Sequence, residues 1–306
     1  MERIGAVLID IDGVLTVSWK ALPGTVAAVR RLRAAGLPLV LVTNTTSRTR
    51  ASIAGKLVGE GFPVTADDIL TAPAVTAAHL REHHPGARCL LINTGDVRDD
   101  LTGVTLVDEV EYEVEYEAEG GSDAAGVRGD EGGPRDRDRG EGDGGEEAGA
   151  ADRAGAPDVV VLGGAGDAFT YAALNRAFHH VRRGARLVAM HRNMYWRTAA
   201  GLDLDTGAFL LGLERAARVE AEITGKPAGS FFAAALAHLG SSASEALMVG
   251  DDIESDVLAA QRAGLTGVLV RTGKYLPETH RAADGTPDHV IDSFADLPVL
   301  LERWGV

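Results

Sequence analysis

Three apolar runs in this chain end in residues that could do chemistry, and a fourth such group sits in a turn. Ala6-Val7-Leu8-Ile9 leads into Asp10-Ile11-Asp12-Gly13, and Leu39-Val40-Leu41-Val42 leads into Thr43-Asn44. Ala246-Leu247-Met248-Val249 leads into Gly250-Asp251-Asp252, with Asp256 close behind. Lys226 lies between Gly225 and Pro227. A bare carboxylate is costly away from water, so two acids at the end of a buried strand call for a compensating cation. Asp10, Asp12 and Asp251 offer hard oxygen ligands of the kind Mg²⁺ takes. Thr43 and Asn44 offer a hydroxyl, a carboxamide and backbone N–H groups to an anion, and Lys226 offers it a point charge. Acids, a metal, neutral donors and one lysine are what phosphoryl transfer needs, because that chemistry rests on positioning and on neutralising spread negative charge. Each segment alone also reads as an ordinary structure: a polar strand end, a strand-to-helix turn, a surface turn, a helix cap. Their joint occurrence in this order carries the reading.

Groups so far apart in sequence meet only if the fold brings strand ends to one edge. The order strand, helix, strand at Ala6–Asp10, Pro23–Gly36 and Leu37–Val42 implies a parallel sheet, whose ligands bind beyond the carboxyl ends of the strands. We expect an α/β Rossmann-like core with helices on both faces, plus an inserted α/β cap. The expected division is residues 1–83 for the first part of the core, 84–219 for the cap and 220–306 for the second part of the core. The expected cap strands are Cys89–Asn93, Asp158–Leu162 and Arg186–Met190, with others near Val104–Val107 and along Glu109–Glu117, where acids alternate with Val or Tyr. Ser47 is the expected cap of a helix from Arg48 to Gly59.

The net charge of −15 is concentrated in one stretch. Asp108 to Arg153 holds 17 acids and 5 bases, so it carries most of that excess while the rest of the chain is nearly neutral. Between Glu117 and Pro157 there is no aromatic residue, and Val127 is the only large aliphatic one. Such a segment, about 118–156, cannot bury enough apolar surface to offset its ordering entropy, and is expected to be a disordered insertion; an acidic binding tail is the functional alternative. Nothing forms a basic nucleic-acid footprint. No apolar run reaches the ~18 residues of a membrane span. The single cysteine, Cys89, excludes an internal disulfide framework and fits a reducing compartment. With no signal peptide ahead of the first strand, the expected location is the cytoplasm.

Taken together, Asp10-Ile11-Asp12-Gly13-Val14, Thr43 with Asn44, Lys226, and Gly250-Asp251-Asp252 with Asp256 resemble the four motifs of the haloacid dehalogenase superfamily. The long stretch between the second and third motifs resembles the subfamily with a large α/β cap at that point. The resemblance covers nearly the whole chain except Glu117 to Ala156. It implies that Asp10 is a nucleophile forming an aspartyl-phosphate, and that Asp12 is the acid for the leaving group and then the base for water. It implies metal ligation by Asp10 and Asp251 side chains and the Asp12 backbone carbonyl, with Asp252 or Asp256 as a further ligand or a support behind the ligands. Thr43, Asn44 and Lys226 would hold the phosphoryl group. The loop His191-Arg192-Asn193-Met194-Tyr195-Trp196 would select the substrate, its bland alternative being a packed aromatic hinge. The activity so implied is Mg²⁺-dependent hydrolysis of a small phosphorylated metabolite: a phosphomonoester, a phospho-amino acid or pyrophosphate. Phosphoryl transfer to an alcohol and non-catalytic phospho-ligand sensing are the alternatives. Pairing of two copies through the cap is a further expectation.

Overall fold

The computed structural model describes residues 4–107, 156–198 and 201–304. The expected edge strand along Glu109–Glu117 and the insertion at about 118–156 lie outside the described residues, apart from Ala156. The strands, in chain order, are β1 (Ala6–Asp10), β2 (Thr16–Val17), β3 (Lys20–Ala21), β4 (Leu39–Thr43), β5 (Ile69–Thr71), β6 (Arg88–Ile92), β7 (Thr105–Val107), β8 (Val159–Leu162), β9 (Arg186–Ala189), β10 (Tyr195–Thr198), β11 (Gly201–Leu204), β12 (Glu222–Ile223), β13 (Ala246–Gly250), β14 (Thr266–Val270) and β15 (His289–Ile291).

Six of them form a parallel sheet in the order β15-β14-β13-β1-β4-β5. Every residue of β1, β4 and β13 is buried, as expected of central parallel strands covered on both faces. Because side chains alternate across a strand, the apolar runs split into two cores. Val7, Ile9, Leu41, Leu247 and Val249 pack on one face with Val29, Ile53, Leu57 and Leu297 from the covering helices. Ala6, Leu8, Val40, Val42 and Met248 pack on the other with Phe231, Phe232 and Val75. β1 sits between β13 and β4, where the chain reverses its direction of travel across the sheet. That switch point opens a crevice beyond the strand ends.

A second parallel sheet, in the order β12-β9-β8-β6-β7, forms the cap. Its last strand, Glu222–Ile223, falls beyond residue 219. The helices Tyr171–Arg182 and Thr206–Ala217 cover one face through Ala177, Val181, Leu210 and Leu213. The other face rests on the helix Ala72–His83 through Ala72, Ala77 and Leu80, while Val75 of that helix faces the core sheet. One helix therefore serves both sheets. The stretch from His191 is a loop only to Met194, after which Tyr195–Thr198 and Gly201–Leu204 make an antiparallel hairpin.

One local expectation is corrected. The second helix spans Arg50–Gly59, and its cap is Thr49, whose hydroxyl accepts from Ser52 N–H. The chain after Gly250 enters a wide turn of helix at Ile253–Leu258 before the short α-helix Ala259–Arg262. Among the described residues, no helix is long and apolar enough to cross a membrane.

Candidate active site

Asp10 is the last residue of β1, and its buried carboxylate meets Lys226 Nζ at 2.5 Å from Oδ1. Lys226 reaches it from the turn after β12, immediately before a cis Pro227. The same ammonium lies 2.7 Å from Asp256 Oδ1, so one buried lysine bridges two buried carboxylates. Asp251, one residue past β13, is also buried. Its Oδ2 accepts from the backbone N–H of Lys274 at 2.7 Å, while its Oδ1 has no hydrogen-bond partner. Carboxylate oxygens of Asp10, Asp251 and Asp256 all lie within 4.8 Å of one another.

The backbone around this cluster is shaped to fit it. Gly13 and Gly273 both have positive φ, at 87° and 62°. A Cβ on either would fall on the Asp251 carboxylate, so only glycine admits the acid there. Thr272 Oγ1 donates to Gly13 O at 2.5 Å and ties the two glycine turns together.

Burial dominates the electrostatics. It raises Asp10, Asp12 and Asp251 above the ordinary carboxylate range, Asp251 well above it, against the opposing pull of Lys226 or Lys274. Asp256 is pushed up to about 6 by burial, with Lys226 opposing. Burial alone would depress Lys226, but Asp10 and Asp256 overcome it and hold the ammonium above its usual range. Lys274 is raised in the same way, chiefly by Asp251. The clustered donors of Asp10, Asp251 and Asp256 are all oxygen, and one of them, Asp251 Oδ1, stands unpartnered. These residues fit Mg²⁺.

The remaining expected residues lie around this cluster or in the cap. Asn44 is tied to Lys226 itself: its Nδ2 donates to Lys226 O at 2.9 Å and its Oδ1 accepts from Lys226 N–H at 3.0 Å. Thr43 Oγ1 accepts from Thr45 N–H at 3.0 Å and pairs with Thr45 Oγ1 at 2.8 Å. Thr45 in turn reaches Asp12 Oδ2 at 3.5 Å. Asp252 caps the helical turn through Glu254 N–H and Ser255 N–H, while Asp256 enters the acid cluster. In the cap, His191 is buried, with Nε2 3.9 Å from Asp205 Oδ1 and Nδ1 accepting from Asn193 N–H. Arg192 forms a two-pronged pair with Glu214, at 2.8 and 2.6 Å. Tyr195 and Trp196 are exposed.

Sequence reasoning missed Thr45 and Lys274. Thr45 stood next to the Thr43-Asn44 pair. Lys274 follows Arg271-Thr272-Gly273 at the end of β14, a fourth strand end whose chemistry went unread. Only the turn at Gly273 brings its backbone N–H to Asp251.

A parallel α/β core with acids at its switch point defines a class of hydrolytic enzymes, and the comparisons with known proteins place the chain within it. Residues 7–106 match the family described as haloacid dehalogenase-like hydrolase, and residues 223–297 match a second one, HAD-hydrolase-like. The chain is 33% identical to the phospholysine phosphohistidine inorganic pyrophosphate phosphatase of Xenopus laevis, covering 97% of this chain and 94% of the relative. It is 32% identical to haloacid dehalogenase-like hydrolase domain-containing protein 2 of Bos taurus, covering 92% and 88%. Among solved structures, a double-mutant thermostable NPPase from Geobacillus stearothermophilus superposes with a TM-score of 0.74 at 26% identity, over 97% of this chain and 98% of that one. The protein belongs to the haloacid dehalogenase-like hydrolases. It is an enzyme of that family.

Proposed function

We propose that the protein is a Mg²⁺-dependent phosphatase that hydrolyses a small phosphorylated metabolite through a phosphoryl group carried on Asp10. The metabolite is a phosphomonoester, a phospho-amino acid or pyrophosphate. One observation carries this reading: a strand-end aspartate held at 2.5 Å by a buried lysine, beside a second aspartate with an unpartnered oxygen. Relatives whose names say phosphatase support it. Mg²⁺ held by Asp10, Asp251 and the Asp12 carbonyl would lower the repulsion between a carboxylate and a phosphate dianion.

The chain's own residues supply the rest. The Asp10 oxygen not bonded to Lys226 attacks phosphorus, and the bond from phosphorus to the leaving oxygen breaks. Asp12 gives that oxygen its proton. Burial raises the Asp12 carboxyl, which keeps a proton on it nearer neutral pH, as a general acid requires. Asp12 then takes a proton from the water that attacks the aspartyl-phosphate, and phosphate leaves with Asp10 restored. Lys226 balances charge on Asp10 and on the phosphoryl oxygens, with Thr43 beside them. Asn44 serves by holding Lys226 in place. Tyr195 and Trp196, exposed on the cap hairpin, would read the substrate's remainder. The lone buried Cys89 suits the reducing interior of the cytoplasm.

The test is Asp10→Asn assayed with p-nitrophenyl phosphate and Mg²⁺. Turnover should fall by at least about a thousandfold, the order expected when a nucleophile is removed, while the melting temperature holds. Substantial residual turnover would exclude the covalent route. Product analysis with an added alcohol separates hydrolysis from phosphoryl transfer, and absence of any turnover in the parent protein would favour a sensor.

A further inference from the structure

One other cluster among the described residues has the makings of a metal centre, and it shares no residue with the catalytic one. His79 lies on the helix Ala72–His83, His84 caps that helix, and Glu222 lies on the cap's edge strand β12. Both imidazole Nε2 atoms point at the same carboxylate oxygen, Glu222 Oε2, at 2.7 and 2.9 Å. The three donor atoms lie within 4.8 Å of one another. We propose that His79, His84 and Glu222 form a binding site for a divalent transition-metal ion of the zinc class, tying the helix shared by both sheets to the edge of the cap.

The donor set decides the class of ion. Two imidazole nitrogens and one carboxylate oxygen suit Zn²⁺, Co²⁺ or Ni²⁺, whereas Mg²⁺ and Ca²⁺ take oxygen ligands. Three protein ligands with a solvent molecule in the fourth position is an established zinc arrangement. Zinc bonds of about 2.0–2.2 Å at tetrahedral angles set ligand atoms roughly 3.3 Å apart, so the two present contacts need open by only about half an ångström. The room exists, because the Glu222 side chain is 33% exposed at the sheet edge and both histidines keep some exposure.

The frame around the three residues is held independently of any ion. Thr76 and Thr224, both fully buried, share a hydrogen bond of 2.6 Å between their hydroxyls, three residues before His79 and two after Glu222. Thr76 Oγ1 also reaches Ala72 O, and Thr224 N–H donates to Ala189 O. The His83 ring stacks on His79 at 4.4 Å and bonds the His79 carbonyl through Nδ1, so it steadies the His79 ring without facing Glu222. Coordination through Nε2 requires each ring proton to sit on Nδ1. Glu222 is followed four residues later by Lys226, so an ion here would stiffen the segment that delivers the catalytic lysine.

The experiment uses the full chain without a polyhistidine tag, stripped with chelator, in the Asp251→Asn background, which weakens zinc binding by the catalytic acids. Zn²⁺ titrated calorimetrically in excess Mg²⁺ should bind one equivalent, and should raise the melting temperature by several degrees. Co²⁺ should give a visible absorption band. His79→Gln, His84→Gln and Glu222→Gln, each added to that background, should weaken binding at least tenfold and abolish the band, while His83→Gln should retain both. Zinc-free melting curves check that each variant is folded, and any one folded ligand variant suffices to decide. Less than one equivalent bound, or binding unchanged in a folded ligand variant, overturns the proposal.

Discussion

Asn44 is expected from the sequence to hold phosphate, whereas its carboxamide bonds the Lys226 peptide, and its replacement separates these two roles. As a phosphate ligand, Asn44→Ala would weaken substrate binding and leave stability alone. As the structure arranges it, both ends of the carboxamide are spent on the Lys226 peptide, at 2.9 and 3.0 Å. Removing them leaves one N–H and one C=O of a residue only 3% exposed without these partners. Each hydrogen bond contributes about 0.5–1.5 kcal/mol net, and each buried group left unsatisfied costs about 1–3 kcal/mol. Asn44 itself is half-buried, so water can reach part of the gap. We therefore expect a loss of about 2–3 kcal/mol, seen as a fall in melting temperature of roughly 3–6 °C.

The same substitution should cost turnover, because Lys226 Nζ is placed by its backbone against Asp10 and Asp256. A displacement of about 1 Å at such a group is worth roughly a hundredfold in rate. Thermal denaturation and p-nitrophenyl phosphate kinetics on one preparation read both effects. Asn44→Asp sharpens the test, since it keeps an acceptor for the Lys226 N–H but sets an anion against the Lys226 carbonyl. It should lose stability as well. A melting temperature within about 1 °C of the parent, with a raised KM and an unchanged kcat, would refute the clamp and restore Asn44 as a substrate ligand.

Other outcomes follow from the same geometry. Gly13→Ala and Gly273→Ala should each raise the Mg²⁺ concentration for half-maximal activity by about tenfold or more, because the new methyl group would sit on the Asp251 carboxylate; a Mg²⁺ titration of the rate checks this. Asp252→Ala should cost about 1 kcal/mol through the lost helix cap and keep kcat within a few-fold, whereas Asp256→Asn should lower kcat strongly by loosening Lys226. The buried His180 is pushed down to about 4, first by burial and then by Arg183. Its neutral form is thus the folded one, and the stability this contributes is full above the ordinary histidine pKa and lost as pH falls from about 6.5 toward 4, at most about 3 kcal/mol. His180→Gln should flatten that part of a pH–stability curve. Cys89, raised to about 11 chiefly by burial, should resist a disulfide thiol reagent at pH 8 until the protein is unfolded.

What could be read from the sequence was what a strand end displays. Asp10, Thr43 and Asp251 close buried apolar runs, and a parallel sheet carries such ends to one edge whatever the details of packing. The two-sheet architecture was legible for the same reason, since the apolar runs Val159–Leu162 and Leu187–Met190 need cover on both faces. The service of the helix Ala72–His83 to both sheets is not legible in one dimension, because Val75 and Leu80 look alike there.

The pair Asp252 and Asp256 shows where one-dimensional reading stops. Both follow Asp251 in a segment with helical spacing, and either could face the site. The choice is made by backbone geometry: at a helix start an aspartate satisfies two free N–H groups, and Asp252 does so with Glu254 and Ser255. The wide turn that follows swings Asp256 under Gly250, where a Cβ on the glycine would collide with it. The missing side chain at residue 250 is thus what admits Asp256 to Lys226. A Gly250→Ala substitution should accordingly reproduce the kinetic defect of Asp256→Asn with Asp256 intact. If Gly250→Ala keeps full turnover and stability, the acid does not need that approach, and its place in the cluster would have to be explained by something other than the glycine beside it.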